Sequence, residues 1–176
     1  RCEFYLLSSL VKYYDVIISC TDHQLLSIYN SQNESLYFMK TMPALFVGHG
    51  SPMIAIDDNN ITREMSEIGN QIIRDYGQPK AILVISAHWY KNRTLIQKTE
   101  NPEQIFDMYG FPKALYDVKY KPKGCTELSD AILAMKKLGA EVDNTWGIDH
   151  GTWSPFVHMF PEAKIPVVQL SVNDVL

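Results

Sequence analysis

Residues 42–52, MPALFVGHGSP, indicate the fold more strongly than any other stretch of the sequence. The apolar run 44–47 is typical of a short strand buried inside a sheet. Glycine lies on both sides of His49, and residues without a Cβ let the backbone bend and come close to a ligand. Pro52 then fixes the direction in which the chain leaves the turn. The stretch therefore predicts a buried strand that delivers a histidine to a ligand site.

Strand-like and helix-like segments alternate over the rest of the chain, as is typical of α/β proteins with largely parallel sheets. The predicted strands are 44–47, 81–85, 95–97, 141–143 and 166–172, and the predicted helices are 61–76, 126–138 and 153–160. We therefore predict an α/β fold with a mostly parallel sheet and flanking helices, in a domain that is incomplete (truncated) in this chain.

The first part of the chain has a different character, because residues 1–40 contain neither glycine nor proline. The chain begins with Arg1, and Met39 and Met42 stand just before the first well-patterned strand. We expect translation to begin at one of these methionines and residues 1–38 to be upstream or appended sequence. A genuine N-terminal helix is the alternative. Residues 1–41 are therefore treated as an unassigned leader.

Charge and composition argue against several classes of protein. Lys and Arg total 16 against 20 Asp and Glu, a net charge of −4 that does not favour a nucleic-acid binder. No apolar run reaches the roughly 18 residues of a membrane span. Three scattered cysteines are too few for a disulfide framework or a cysteine-based zinc site. Lys12 and Asp15 interrupt the apolar stretch 4–19 and argue against a secretory signal, so we expect a cytoplasmic protein.

Three of the five histidines are predicted to lie at junctions between a strand and a loop. His49 follows strand 44–47, and His88 follows strand 81–85. Open α/β sheets bind ligands beyond the carboxyl ends of their strands, and neighbouring strands are only about 4.8 Å apart. Imidazole is a common ligand of iron and zinc. The pair could bind one metal ion, or both could be loop histidines bonded to backbone.

His150 lies in the stretch WGIDHGTW, residues 146–153. The tryptophans at both ends of this stretch suit a planar organic substrate. The alternative is a core turn in which both tryptophans are simply buried. His158 lies in an apolar stretch and is predicted to be a packed or surface histidine.

Several stretches in order resemble one known family, the class III extradiol ring-cleavage dioxygenases (the LigB superfamily), in particular those of the DOPA extradiol dioxygenase type. The matching stretches are 42–53, 84–89, 109–116, 146–153 and 166–171. The resemblance covers residues 42–174 and none of 1–38. It identifies residues 42–176 as the N-terminal part of such a catalytic domain.

The resemblance implies a metal site in which His49 and His88 bind the ion and His150 contacts the substrate or helps to protonate it. In the family, the remaining metal ligand and a further acid–base histidine come from the second half of the chain, which this sequence does not contain. The implied reaction opens a catechol such as DOPA beside its hydroxyl groups, with O2 and Fe(II). Zn(II) could occupy the same site but is redox-inert.

The predicted partners are therefore a small aromatic substrate and O2, with no nucleic acid and no membrane. The predicted site contains His150 as catalytic residue, His49 and His88 as metal ligands, and Ser51, Trp89, Asp149 and Trp153 as substrate contacts. Two alternatives stay open at this point: a zinc-dependent hydrolase on the same scaffold, and a metal-binding or interaction module without turnover.

Overall fold

A computed structural model describes residues 15–19, for which it gives the backbone alone, and residues 42–175. Within these residues the strands are β1 (Asp15–Ser19), β2 (Leu45–Val47), β3 (Ile82–Lys91), β4 (Leu95–Ile96), β5 (Glu141–Val142) and β6 (Val167–Asn173). The helices are α1 (Asn60–Tyr76), α2 (Lys113–Tyr116), α3 (Thr126–Leu133) and α4 (His150–Met159), and a 3-10 turn covers Pro52–Ala55.

The strands form one mixed, mostly parallel sheet in the order β2-β1-β3-β6-β4-β5. Strands β2, β1, β3 and β6 run parallel to one another. Strand β4 runs antiparallel to β6 and parallel to β5. The predicted α/β fold with a mostly parallel sheet and flanking helices is confirmed.

Helices cover both faces of the sheet, and β3 shows why. Successive side chains of a strand point to opposite faces. Val84 belongs to the core formed with α1 and α4, whereas Leu83 packs in a second core with Leu128 and Ile132 of α3. Both strand residues are fully buried, as expected of a central parallel strand.

Strand β1 lies within residues 1–41. Neither of the two interpretations of that segment, upstream or appended sequence and an N-terminal helix, predicted a strand there. Backbone Asp15–Ser19 pairs in parallel with Leu45–Val47 on one side and with Ile82–Ser86 on the other. The remaining positions of the predicted leader, 1–14 and 20–41, lie outside the described residues. Whether translation begins at Met39 or Met42 stays a prediction.

Three of the predicted boundaries of strands and helices are wrong. The strand predicted at 81–85 extends to Lys91 as β3, through an irregularity in its pairing with β6. The helix predicted over 126–138 ends at Leu133, and turns with i to i−3 hydrogen bonds follow it up to Gly139. The helix predicted at 153–160 begins at His150, because Asp149 caps its first turn.

Helix α1 approaches α4 closely at Gly69, where an added Cβ would clash with the backbone of Met159. Alanine normally stabilises a helix interior relative to glycine by about 0.5–1 kcal/mol. We expect Gly69→Ala to reverse that sign and lower the free energy of unfolding by about 1–3 kcal/mol, because the two helices must separate. Urea denaturation measures the change.

The matched control is Asn70→Ala, the next residue of α1, whose side chain is exposed. It should change the free energy of unfolding by no more than about 0.5 kcal/mol. Equal stability of the Gly69→Ala variant and the wild type would contradict the close packing of α1 on α4.

Candidate metal centre

His49 is held by the turn that follows β2. Its side chain is buried, with 3% exposed. The next residue, Gly50, has a φ of 60°, which an L side chain adopts with difficulty, so glycine suits this turn. Ser51 then caps the 3-10 turn, with its Oγ accepting a hydrogen bond from the Met53 N–H at 3.3 Å. The local pattern around His49 therefore acts as the sequence predicts.

His88 is positioned by a bulge inside β3 and does not follow the strand's end as predicted. Ser86 pairs with Ser171 of β6, yet Tyr90 already pairs with Val172, so β3 advances four residues while β6 advances one. Such irregularities re-aim the side chains within them. The hydroxyl of Ser86 accepts the His88 N–H at 3.3 Å and helps to fix the bulge.

His150 is the first residue of α4, and its side chain is buried. The carboxylate of Asp149 accepts the Thr152 N–H at 3.2 Å, which satisfies one of the free donors at the start of the helix. Gly151 leaves room for the neighbouring ring, because a Cβ there would lie 2.5 Å from Cδ2 of His88. The start of α4 and the bulge in β3 therefore pack closely against each other because residue 151 is a glycine.

The rings of these histidines meet in one cluster, the three-histidine cluster of His49, His88 and His150. The Nε2 atoms of His49 and His88 are 2.9 Å apart. The ring centroid of His150 lies 4.0 Å from that of His88 and 5.1 Å from that of His49. One nitrogen from each ring lies within 4.8 Å of the others.

These distances fit a single metal ion. Imidazole nitrogens bind such ions at about 2.0–2.1 Å, so two of them at a right angle are about 2.9 Å apart. His49 and His88 match that separation. The described residues thus contain three imidazole donors at a spacing that suits one ion, although β1 separates β2 and β3, which the sequence led us to expect as neighbours.

Burial favours the neutral form of His49 and His88, and metal binding requires neutral imidazole. Burial, followed by the proximity of His150 and His88, lowers the pKa of His49 from 6.5 to about 4. Burial and His150 also lower the pKa of His88. A neutral imidazole retains the lone pair that a metal ion accepts.

Asp107 also belongs to the site, and the sequence did not predict it. Its Oδ1 accepts the backbone N–H of His150 at 2.9 Å and lies 2.9 Å from Nδ1 of the same ring, at an angle too poor for a second hydrogen bond. Burial would raise the pKa of Asp107, but its contacts with the side chain and backbone of His150 outweigh burial and lower it. Because 43 residues separate the two in sequence, no local pattern indicates the contact.

Asp149 is the second buried carboxylate near the cluster, and polar donors surround it. It accepts hydrogen bonds from Nε1 of Trp146 at 3.0 Å and from Nε2 of Gln169 at 2.8 Å. The Oε1 of Gln169 in turn accepts the Asp149 N–H at 3.0 Å. Gln169 on β6 therefore fixes the residue that caps α4 and precedes His150.

The remaining predicted contacts have different surroundings. Ser51 is exposed, whereas Trp89 is fully buried and stacks on Trp146 with ring centroids 6.2 Å apart. Trp153 is fully buried and donates from Nε1 to the Ile105 carbonyl at 2.9 Å. Packing and capping account for the positions of Trp89, Asp149 and Trp153. Substrate contact by these residues and by Ser51 stays a prediction.

His158 packs as predicted. Its Nε2 lies 2.7 Å from the backbone carbonyl of Ile54, in the 3-10 turn that follows His49. It is therefore a histidine of α4 that lies outside the three-histidine cluster.

Comparison with known proteins connects this site with one family. Residues 43–176 match the family model described as the catalytic LigB subunit of aromatic ring-opening dioxygenase. The chain is similar to the 4,5-DOPA dioxygenase extradiol of Escherichia coli K12, with 42% identity over 75% of this chain and 48% of that protein. It is also similar to the protein of the same name from Beta vulgaris, with 40% identity over 73% of this chain and 49% of that one.

A solved structure shares the fold. The crystal structure of an uncharacterised protein from Escherichia coli K12 matches with a TM-score of 0.53 and 30% identity, over 68% of this chain and 43% of that one. The chain spans about half the length of the curated relatives it matches. In the part of the chain that the structure describes, no helix combines the length and apolar character needed to cross a membrane.

The lowered pKa of His49 predicts how the metal-free protein responds to acid. In the unfolded chain His49 takes up a proton near pH 6.5, whereas in the folded protein it does so only near pH 4. Stability should therefore be lost as pH falls from 6.5 to 4, by up to about 3 kcal/mol from this residue alone. Unfolding by urea at pH 7 and pH 4.5, with a chelator present, measures it.

A His49→Gln variant should lose much less stability between these pH values than the wild type, because glutamine does not titrate. His158→Gln is the matched control and should retain the wild-type dependence on pH. An unchanged pH dependence in His49→Gln would contradict a buried, neutral His49.

Proposed function

The chain belongs to the family of the catalytic LigB subunit of aromatic ring-opening dioxygenases, the class III extradiol dioxygenases, and from this we propose that it carries the metal-binding half of an extradiol ring-cleaving enzyme. The observation that carries the proposal is the three-histidine cluster beside two buried carboxylates. We propose His49 and His88 as the metal ligands and His150 as the residue that handles protons of the substrate.

The charges around the cluster favour a divalent cation. Asp149 is buried and Asp107 is nearly so, with 11% of its side chain exposed, and both act electrostatically on His88 in the direction that favours a positive charge. Neutral His49 and His88 bring no positive charge to these carboxylates, and buried charge is costly unless an opposite charge offsets it. A dication bound between His49 and His88 would balance these carboxylates.

We propose Fe(II) as the ion, because the proposed reaction transfers electrons and Zn(II) is redox-inert. When bound, iron would lower the pKa of the catechol hydroxyls and supply an open position for O2. The chain's own contribution is to hold two imidazoles at a fixed separation, with His49 buried and His88 half-buried.

His150 is suited to act on a substrate bound beside the cluster. Its ring lies 4.0 Å from that of His88, so a catechol held near His88 would come within reach of an imidazole nitrogen. Proton transfer by a well-placed histidine typically contributes a factor of about 10²–10⁴ in rate. A DOPA-like catechol and O2 as partners, with no nucleic acid and no membrane, and a cytoplasmic location belong to the same proposal.

The test is an assay of the intact protein loaded anaerobically with Fe(II). Addition of DOPA and O2 should give a yellow ring-opened product and consume O2 in equal amount, whereas the zinc-loaded protein should do neither. Hydrolytic activity with zinc that is indifferent to O2 would favour a hydrolase. Tight metal binding without turnover of any catechol would favour a binding module, and both results would contradict the proposal.

Substitution of either proposed ligand should remove metal binding. We expect His49→Ala and His88→Ala each to weaken affinity for Fe(II) or Zn(II) by at least about 100-fold, since even residues behind the ligands contribute 10- to 100-fold. Metal content after dialysis and titration calorimetry measure this loss.

His158→Ala removes the same side-chain type from α4 outside the cluster and should keep the wild-type metal content. Wild-type stoichiometry in both the His49 and His88 variants would contradict the assignment of the ligands.

A further inference from the structure

One oxygen of Asp107 contacts His150 twice. Oδ1 accepts the backbone N–H at 2.9 Å and lies 2.9 Å from ring Nδ1. Both side chains are nearly buried, with 8% of His150 and 11% of Asp107 exposed. Among the described residues, no lysine or arginine forms an ion pair with Asp107, so the imidazole ring is the charge partner that the structure gives it.

This contact determines which ring nitrogen carries hydrogen. An unprotonated Nδ1 would direct its lone pair toward an ionised carboxylate at 2.9 Å, where two electron pairs repel each other. A hydrogen on Nδ1 turns the same contact into an attraction, and a small rotation of the ring would align it. Since neutral imidazole carries one hydrogen, Nε2 then keeps its lone pair.

The surroundings prevent the ring from turning over. His88 and His49 lie 4.0 and 5.1 Å from the His150 ring, measured between centroids. The backbone bond from Asp107 anchors the residue itself, and the cap of Asp149 fixes the helix start. The residue is thus held at its backbone and by its neighbours, with ring Nδ1 beside the Asp107 carboxylate.

We propose that Asp107 is a positioning residue that keeps His150 in the tautomer with hydrogen on Nδ1, so that Nε2 is the nitrogen that accepts a proton from the substrate. The proposal rests on the proposed function for the identity of that substrate, a catechol. In the step, a catechol O–H bond breaks and an Nε2–H bond forms. The oxygen keeps the electron pair, and the positive charge on the ring faces the Asp107 carboxylate.

The substitution that tests this role is Asp107→Asn. Asparagine retains an Oδ1 that can accept the backbone N–H of His150, so the structural bond survives while the negative charge is removed. Asp107→Glu restores the charge. Asp117→Asn is the matched control, because Asp117 forms a surface ion pair with Lys113 and lies outside the site.

The first measurement needs no turnover. Long-range proton–nitrogen NMR of the zinc-loaded protein with ¹⁵N-labelled histidine reports the tautomer of each ring. Wild type, Asp107→Glu and Asp117→Asn should show His150 with hydrogen on Nδ1, whereas Asp107→Asn should show a smaller share of that tautomer, because its amide oxygen carries less negative charge. Hydrogen on Nε2 of His150 in the wild type would overturn the proposal, and this outcome counts even if one variant folds poorly. An unchanged share of the Nδ1–H tautomer in Asp107→Asn would overturn it as well.

The second measurement uses the iron-loaded intact protein with a catechol. Asp107→Asn should lower kcat about 100-fold, within the range for proton transfer by a side chain, with metal content and KM unchanged. Asp107→Glu should recover part of the loss. Loss of metal content together with kcat would indicate a structural role and overturn the proposal. If the wild type turns over no catechol, the proposed function fails, and the NMR result still decides the role of Asp107.

Discussion

The separation of 2.9 Å between the Nε2 atoms of His49 and His88 is the contact on which the site depends. The two residues come from different strands, and β1 lies between those strands in the sheet. Their rings meet because the turn after β2 and the bulge in β3 carry them toward each other above the sheet's edge. The sheet, its two cores and the start of α4 serve to hold these imidazoles together.

The charges of the carboxylates beside the histidines explain the next feature of the site. Burial opposes protonation of His49 and His88, so these two side chains offer neutral donors to a cation. Asp107 and Asp149 supply negative charge at its border, each held by hydrogen bonds from backbone or buried side chains. The same carboxylates orient His150 and cap its helix. A single arrangement therefore accounts both for cation binding and for a histidine placed beside the cation.

Local patterns predicted the parts of this site that local chemistry determines. The glycines around His49 and the alternation of strands and helices are readable in the sequence, whereas the start of α4 at His150 and its cap at Asp149 were not predicted. The bulge at His88 is not, because it appears only when β3 is paired with β6. Asp107 reaches His150 across 43 residues, and only the folded chain brings them together. Trp146 and Trp153 flank His150 in the sequence and suit a planar substrate, yet Trp153 is fully buried in the fold.

Anomalous diffraction from crystals of the iron-loaded protein tests the central claim most directly. Data collected on both sides of the iron absorption edge locate the ion without reference to activity. The account predicts one strong peak within about 2.0–2.3 Å of Nε2 of both His49 and His88, with the His150 ring beside it. A peak elsewhere on the protein, or none beside an intact three-histidine cluster, would contradict it.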